Sequence, residues 1–167
     1  MLASLSILAV GAALTSVASA DLVFVDNNCP FNVSVWAMGG IESPVTYLQH
    51  GERFSEKLHR DPVSGGRDIK VTRDADQLSG PPRLQLSYNV VPDGNSSSDI
   101  SPCGWLVYDI NPVFGTPLRG NRVTLESGEC PNVIWPNGVK TPYSFPWACW
   151  ACWGLSVNLT LTLCASA

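Results

Sequence analysis

Six cysteines constrain this chain of 167 residues more than any other feature. They are Cys29, Cys103, Cys130, Cys149, Cys152 and Cys164. An even number of cysteines in an exported chain predicts three disulfides. The alternative, a zinc ribbon, needs a second Cys-x-x-C pair besides Cys149 and Cys152, and the sequence has none. The residues around that pair also lack the strand-then-helix pattern of thioredoxin-type redox motifs.

The N-terminus has the composition of a secretory signal peptide. Residues 1–20 carry no charged side chain, are apolar over 5–14 and end in Ala18-Ser19-Ala20, the small-x-small pattern that signal peptidase cleaves. The usual Lys or Arg near the initiator is missing, so the α-amino group supplies the positive charge. We therefore expect a leader over 1–20, a mature chain that starts at Asp21 and a single domain over 21–167.

The rest of the composition argues against several classes of partner and site. No later stretch approaches the roughly 18 apolar residues of a membrane-spanning helix. A net charge of −4 offers no basic surface to nucleic acid. The two histidines, His50 and His59, share no metal motif, and a Gly-x-Ser-x-Gly elbow is absent. We expect a secreted monomer with no membrane span, no nucleic-acid partner, no metal and no cofactor.

Hydrophobic alternation predicts an all-β fold. The clearest strand covers 155–163, where Leu and Val alternate with Ser, Asn and Thr. Shorter β-rich runs cover 22–25, 32–38, 68–73, 83–90, 105–110 and 122–125, with Gly, Pro, Asn or Asp between most of them. Helical periodicity is not sustained, and 13 prolines and 14 glycines interrupt the chain. An antiparallel sandwich or barrel with little helix follows.

Three sequons predict N-glycosylation in a eukaryotic secretory pathway. They lie at Asn32, Asn95 and Asn158. Asn158 falls on the polar side of the last predicted strand, which would point it outward, where a glycan would fit.

Several motifs occur in the order found in a known family. NNCPFNVSVWA at 27–37 resembles the opening of thaumatin-like proteins. DPVSGG at 61–66, IKVTR at 69–73, YDINPVFG at 108–115 and LTLC at 161–164 resemble the fungal Blastomyces yeast-phase-specific protein family, a short thaumatin-like branch. The resemblance spans nearly the whole mature chain.

This resemblance implies a thaumatin-like antiparallel β-sandwich in which the first cysteine, Cys29, is joined to the last, Cys164. Such a bridge would close a very long loop, which in the chain-entropy model stabilises the fold by about 3 to 5 kcal/mol. Cys149 and Cys152 could form a local bridge. We expect instead that each pairs with Cys103 or Cys130 and thereby fixes the Trp-rich segment.

The resemblance also implies a ligand cleft. Larger thaumatin-like proteins have a cleft of one arginine, one glutamate and several aspartates, associated with binding and sometimes weakly hydrolysing β-1,3-glucan. Arg73, Asp74 and Asp109 resemble three of these residues, while the glutamate position falls on Gln85. An amide cannot exchange a proton as a carboxyl does, so hydrolysis is disfavoured and sugar binding remains. The alternative for the three charged residues is ordinary surface ion pairing.

Three tryptophans spaced by three form a candidate aromatic patch. They are Trp147, Trp150 and Trp153. Indole faces stack on sugar rings, but packing around the neighbouring disulfides is the more common arrangement for such residues.

These observations predict a secreted, non-enzymatic protein of the fungal cell wall or extracellular matrix that binds β-glucan through a polar cleft. One alternative is a weak β-1,3-glucanase, a glycoside hydrolase that would use Asp74 and Asp109. Another is a secreted effector or antimicrobial protein that acts on a host or competitor surface.

Overall fold

A computed structural model describes residues 21–73, 80–92, 103–128, 130–142, 144, 146–152 and 157–166, without the side chains of 92, 103 and 150–152. Over these ranges the chain forms eleven strands and no helix, hence none that could cross a membrane. The strands are β1 (Leu22–Asn27), β2 (Val33–Met38), β3 (Thr46–Leu48), β4 (Arg53–Lys57), β5 (Gly66–Thr72), β6 (Arg83–Pro92), β7 (Cys103–Val113), β8 (Val123–Ser127), β9 (Cys130–Trp135), β10 (Trp147–Cys152) and β11 (Leu159–Leu163). The predicted leader and the sequon at Asn95 lie outside the described residues.

The strands form two sheets that share one core. The five-stranded sheet has the order β4-β1-β11-β8-β9, and the six-stranded sheet has the order β10-β7-β6-β5-β2-β3. Alternate residues of both sheets are buried in a single hydrophobic cluster, for example Val25 and Leu161 from one sheet and Ile69, Leu86 and Ile110 from the other. The all-β prediction is therefore confirmed, and the architecture is a two-sheet sandwich.

One strand pair corrects the prediction of a wholly antiparallel arrangement. β1 runs parallel to β11, with Val23 opposite Leu159 and Asn27 opposite Leu163. The Cys29–Cys164 disulfide lies just beyond the ends of both strands. Neighbouring strands that both end at this bond end at the same edge of the sheet and therefore run parallel. Every other pair of described strands is antiparallel.

The last strand begins later than the predicted 155–163. Over Leu159–Leu163 the alternation is as predicted, with the leucines buried. The two preceding residues instead hold the start of β1: the Val157 amide donates to Asp21 Oδ1 at 2.8 Å, and Asn158 Oδ1 accepts from the Leu22 amide at 3.0 Å. Asn158 is thus half-buried against Leu22 rather than directed freely outward.

Asn32, the first residue of its sequon, is exposed just before β2.

A tight turn follows β9, since the Gly138 amide donates to the Trp135 carbonyl at 3.2 Å. Gly138 has a φ of 61°, and a Cβ there would collide with the carbonyl oxygen of Leu118. A side chain at this position is excluded on both grounds.

Two disulfides are present among the described side chains. Cys29–Cys164 confirms the bond between the first and last cysteines, with a Cα separation of 4.9 Å. Cys130–Cys149, with a Cα separation of 5.8 Å, joins β9 of one sheet to β10 of the other. Cys149 therefore bonds to one of the two predicted partners rather than to Cys152. The remaining cysteines, Cys103 and Cys152, have side chains outside the description, but their backbones are directly opposite in the β7–β10 pair.

Candidate functional site

A groove of about 610 Å³ crosses the outer face of the six-stranded sheet. Its floor is formed by alternate residues of the central strands, which face outward because their neighbours point into the core. Asp68 from β5, Ser87 from β6 and Asp109 from β7 all line it. The register places Asp68 opposite Ser87 and Ser87 opposite Asp109. The three side chains therefore form one polar row across three strands.

Hydrogen bonds connect this row to the row beside it. Ser87 Oγ donates to Asp68 Oδ1 at 2.6 Å, and Gln85 Nε2 donates to Ser87 Oγ at 3.3 Å. Gln85 itself lies between Lys70 and Asn111 in the strand register. The groove thus offers carboxylate, hydroxyl, amide and ammonium groups on a rigid sheet.

Asp109 is a buried polar side chain of the groove, 7% exposed. Its Oδ1 accepts from the Ile110 amide at 2.9 Å. Its Oδ2 accepts from Asn111 Nδ2 at 2.8 Å and from Lys140 Nζ at 3.2 Å. Lys140 Nζ also donates to Asn111 Oδ1 at 2.5 Å. Both carboxylate oxygens of Asp109 therefore act as acceptors.

The groove carries charges of both signs. Its charged lining residues are Arg67, Asp68, Lys70 and Asp109. Asp109 forms an ion pair with Lys140. Lys70 Nζ contacts the Met38 sulfur. Partial burial, and secondly the nearby Arg83 guanidinium, lower the pKa of Lys70 below its ordinary value. The groove therefore lacks the lining of a single sign that concentrates ions of the opposite charge.

The structure brings together two of the four residues proposed for the cleft. Gln85 and Asp109 project from the same face of neighbouring strands, and of the two Asp109 lines the groove itself. Arg73, in contrast, stacks its guanidinium 3.7 Å from the centroid of the Phe31 ring and is not part of the groove lining. Asp74 lies outside the described residues.

Of the three predicted tryptophans, only Trp147 has a described side chain. Trp147 is opposite Tyr108, whose side chain is buried, so Trp147 lies on the core side of the sheet at its edge. Trp150 is opposite Trp105 in the β7–β10 pair, and its side chain is not among those described. Trp153 lies outside the described residues. Trp105, which the sequence did not single out, is 46% exposed on the outer face.

A tight loop borders one end of the groove. The carboxylate of Asp61 accepts the backbone amides of Ser64 at 2.8 Å, Val63 at 2.9 Å and Gly40 at 2.9 Å. These bonds, that from Ser64 foremost, hold the pKa of Asp61 well below its usual range. Gly39 permits the close approach, because a Cβ there would collide with the Asp61 carboxylate.

A partly buried ion pair at the groove joins the two sheets. Arg67 on β5 donates from Nε to Glu56 Oε1 at 3.1 Å and from Nη2 to Glu56 Oε2 at 3.2 Å. Tyr88 on β6 donates to the same Glu56 at 2.8 Å. Burial, then the charge of Glu56, raises the pKa of Tyr88 above its ordinary value. Glu56 belongs to β4 of the other sheet, so this contact has no signal in local sequence.

The histidines are placed apart from the groove. His50 Nδ1 lies 3.1 Å from the Cys29 carbonyl oxygen, and His59 Nδ1 lies 2.7 Å from that of Lys57. Among the residues described, no three His, Cys, Asp or Glu side chains are grouped closely enough to hold a metal ion.

Comparisons with known proteins place this geometry in context. A family model described as Blastomyces yeast-phase-specific protein matches residues 10–165. The crystal structure of the protein elicitor MoHrip2 from Magnaporthe oryzae is similar, with a TM-score of 0.65 and 26% sequence identity over 87% of this chain and 100% of that chain. A search of curated proteins found no match.

Proposed function

The chain belongs to the Blastomyces yeast-phase-specific protein family, and from this premise we propose a secreted, non-enzymatic protein that binds a cell-wall polysaccharide of the β-glucan class. Two disulfides and a similar elicitor structure support a place outside the cell. The proposed binding site is the groove of the six-stranded sheet.

The observation that carries the ligand class is the row Asp68, Ser87 and Asp109, with Lys140 at its end. Carboxylates accept hydrogen bonds from sugar hydroxyls, and ammonium and amide groups donate to them. Asp109 is paired with Lys140 and Asp68 accepts from Ser87, so a sugar hydroxyl can add hydrogen bonds here without separating the Asp109–Lys140 ion pair. β-Glucan is a chain of sugars that carries such hydroxyls.

A binding role fits these carboxylates better than a catalytic one. A glycosidase needs one carboxyl that gives a proton to the leaving oxygen and a second that acts as base or nucleophile. The acid role needs a carboxyl oxygen that donates, whereas Asp109 accepts hydrogen bonds on both oxygens and Asp68 accepts one from Ser87. We expect no new reducing ends from laminarin. Release of reducing ends that Asp109→Asn abolishes would instead establish the hydrolase alternative.

Sedimentation with insoluble β-1,3-glucan tests the proposal. The secreted protein should be retained, and Asp109→Asn should weaken retention about tenfold, because it removes a charged partner of Lys140. Glu126→Gln is the matched control, since Glu126 is an exposed carboxylate on the other sheet, and it should bind as the native protein does. Complete recovery of the native protein in the unbound fraction would reject the glucan ligand.

A second candidate is an elicitor that acts on a host. It is favoured by the similarity to the elicitor from Magnaporthe oryzae, which covers the whole of that chain. Infiltration of the purified protein into plant leaves should then trigger an oxidative burst. Reduced and alkylated protein should be inactive. A burst that Asp109→Asn leaves unchanged would separate this activity from glucan binding, while no burst at all would exclude it.

A further inference from the structure

Trp105 lies on the strand that forms the floor of the groove. Outward-facing positions of β7 follow one another at Asn111, Asp109, Val107 and Trp105. The first three line the groove, and Trp105 is the next along the same face. It is 46% exposed although Leu106 beside it is fully buried. The groove floor therefore continues directly into an accessible indole ring.

Along the outer face of β7, from Asp109 to Trp105, the surface changes from polar to apolar. Val107 and the exposed Ala148, opposite it on β10, separate the polar row from Trp105. Asp109 and Trp105 are four residues apart, or about 13 Å at about 3.3 Å per residue. That distance is greater than the length of one sugar ring. A single sugar cannot hydrogen-bond Asp109 and stack on Trp105 at once, but a chain of several sugars can.

We propose that Trp105 is an aromatic subsite of the groove and that the ligand is an oligosaccharide chain that lies along β7. This inference rests on the proposed function. Pyranose rings present C–H faces to aromatic rings and hydroxyls at their edges, which matches an indole at one end and a polar row at the other. The row holds two carboxylates and one ammonium, which disfavours an anionic chain.

Titration calorimetry with laminari-oligosaccharides of increasing length tests the subsite. The native affinity should rise when the oligomer becomes long enough to reach from Asp109 to Trp105. Trp105→Ala should weaken binding of the long oligomers about 2- to 10-fold and leave that of the shortest unchanged. Trp105→Phe keeps an aromatic face and should retain most of the affinity.

Ile134→Ala is the control, because Ile134 is 44% exposed but lies on the other sheet. It should bind all oligomers as the native protein does, and circular dichroism should show all variants folded. Equal affinity of Trp105→Ala and native protein for long oligomers would overturn the subsite while leaving the proposed function intact. Failure of the native protein to bind oligomers of any length would overturn both.

Discussion

Cys29 and Cys164 are joined by a disulfide although 135 residues separate them in sequence. In the chain-entropy model, closing a loop of this length stabilises the native state by about 5 kcal/mol. We predict that the double variant Cys29→Ala, Cys164→Ala has a free energy of unfolding that is lower by about 5 kcal/mol. Urea denaturation followed by tryptophan fluorescence measures it.

The second disulfide provides the comparison. Cys130–Cys149 closes a separation of 19 residues, for which the same model gives about 3 kcal/mol. The double alanine variant of this pair should therefore be the more stable of the two. The reverse order would show that native contacts, rather than loop length, set the contribution of these bonds.

Gly138 and Gly120 form a matched pair for backbone strain. Both have positive φ, 61° and 87°, but a Cβ on Gly120 would meet nothing within 4 Å, whereas one on Gly138 would strike the Leu118 carbonyl. Gly120→Ala should cost about 1 kcal/mol and Gly138→Ala about 3 kcal/mol. Equal losses in chemical denaturation would contradict the proposed collision.

Buried tyrosine should make the fold sensitive to alkali. Burial raises the pKa of Tyr108 to about 12, compared with about 10 in an unfolded chain. Between these values the unfolded state has lost the proton and the folded state has kept it, so stability decreases as pH rises. The free energy of unfolding should fall from pH 10 upward, and less steeply in Tyr108→Phe. A variant with the native slope would exclude this residue as a source.

A third bridge between Cys103 and Cys152 is predicted from the strand register, which sets the two backbones opposite each other. Non-reducing peptide mapping by mass spectrometry should recover a peptide pair that contains both residues. The same map should show Asp21 at the N-terminus. Free thiols at Cys103 and Cys152 would contradict the third bridge, and a retained leader would contradict export by a cleaved signal.

The sequence predicted the strands inside each sheet better than the strands at the sheet edges. All seven β-rich runs correspond to strands with neighbours on both sides, where burial imposes alternation on the sequence. The four strands without such a signal, β3, β4, β9 and β10, are the four edges of the two sheets. Edge strands bury less surface and carry polar or irregular residues, so periodicity does not reveal them.

The candidate site was predictable only where it coincided with a strand motif. Asp109 and Gln85 lie in recognisable runs and meet on one face. Arg73 directly follows β5 and turns instead to the Phe31 ring, a contact from a distant part of the chain. Trp105 could have been found from the alternation of β7, which places it on the same face as Asp109, but the dense Trp-rich segment gave the more conspicuous signal.

The central position of β11 has a consequence for biosynthesis. This strand is the middle of the five-stranded sheet, yet among the described strands it is synthesised last. Strands β5, β6 and β7 are consecutive antiparallel neighbours and can associate as the nascent chain emerges. β1 can pair early with β4, but its parallel partner is synthesised after all the other described strands. The five-stranded sheet is therefore completed later than the β5-β6-β7 part of the other sheet.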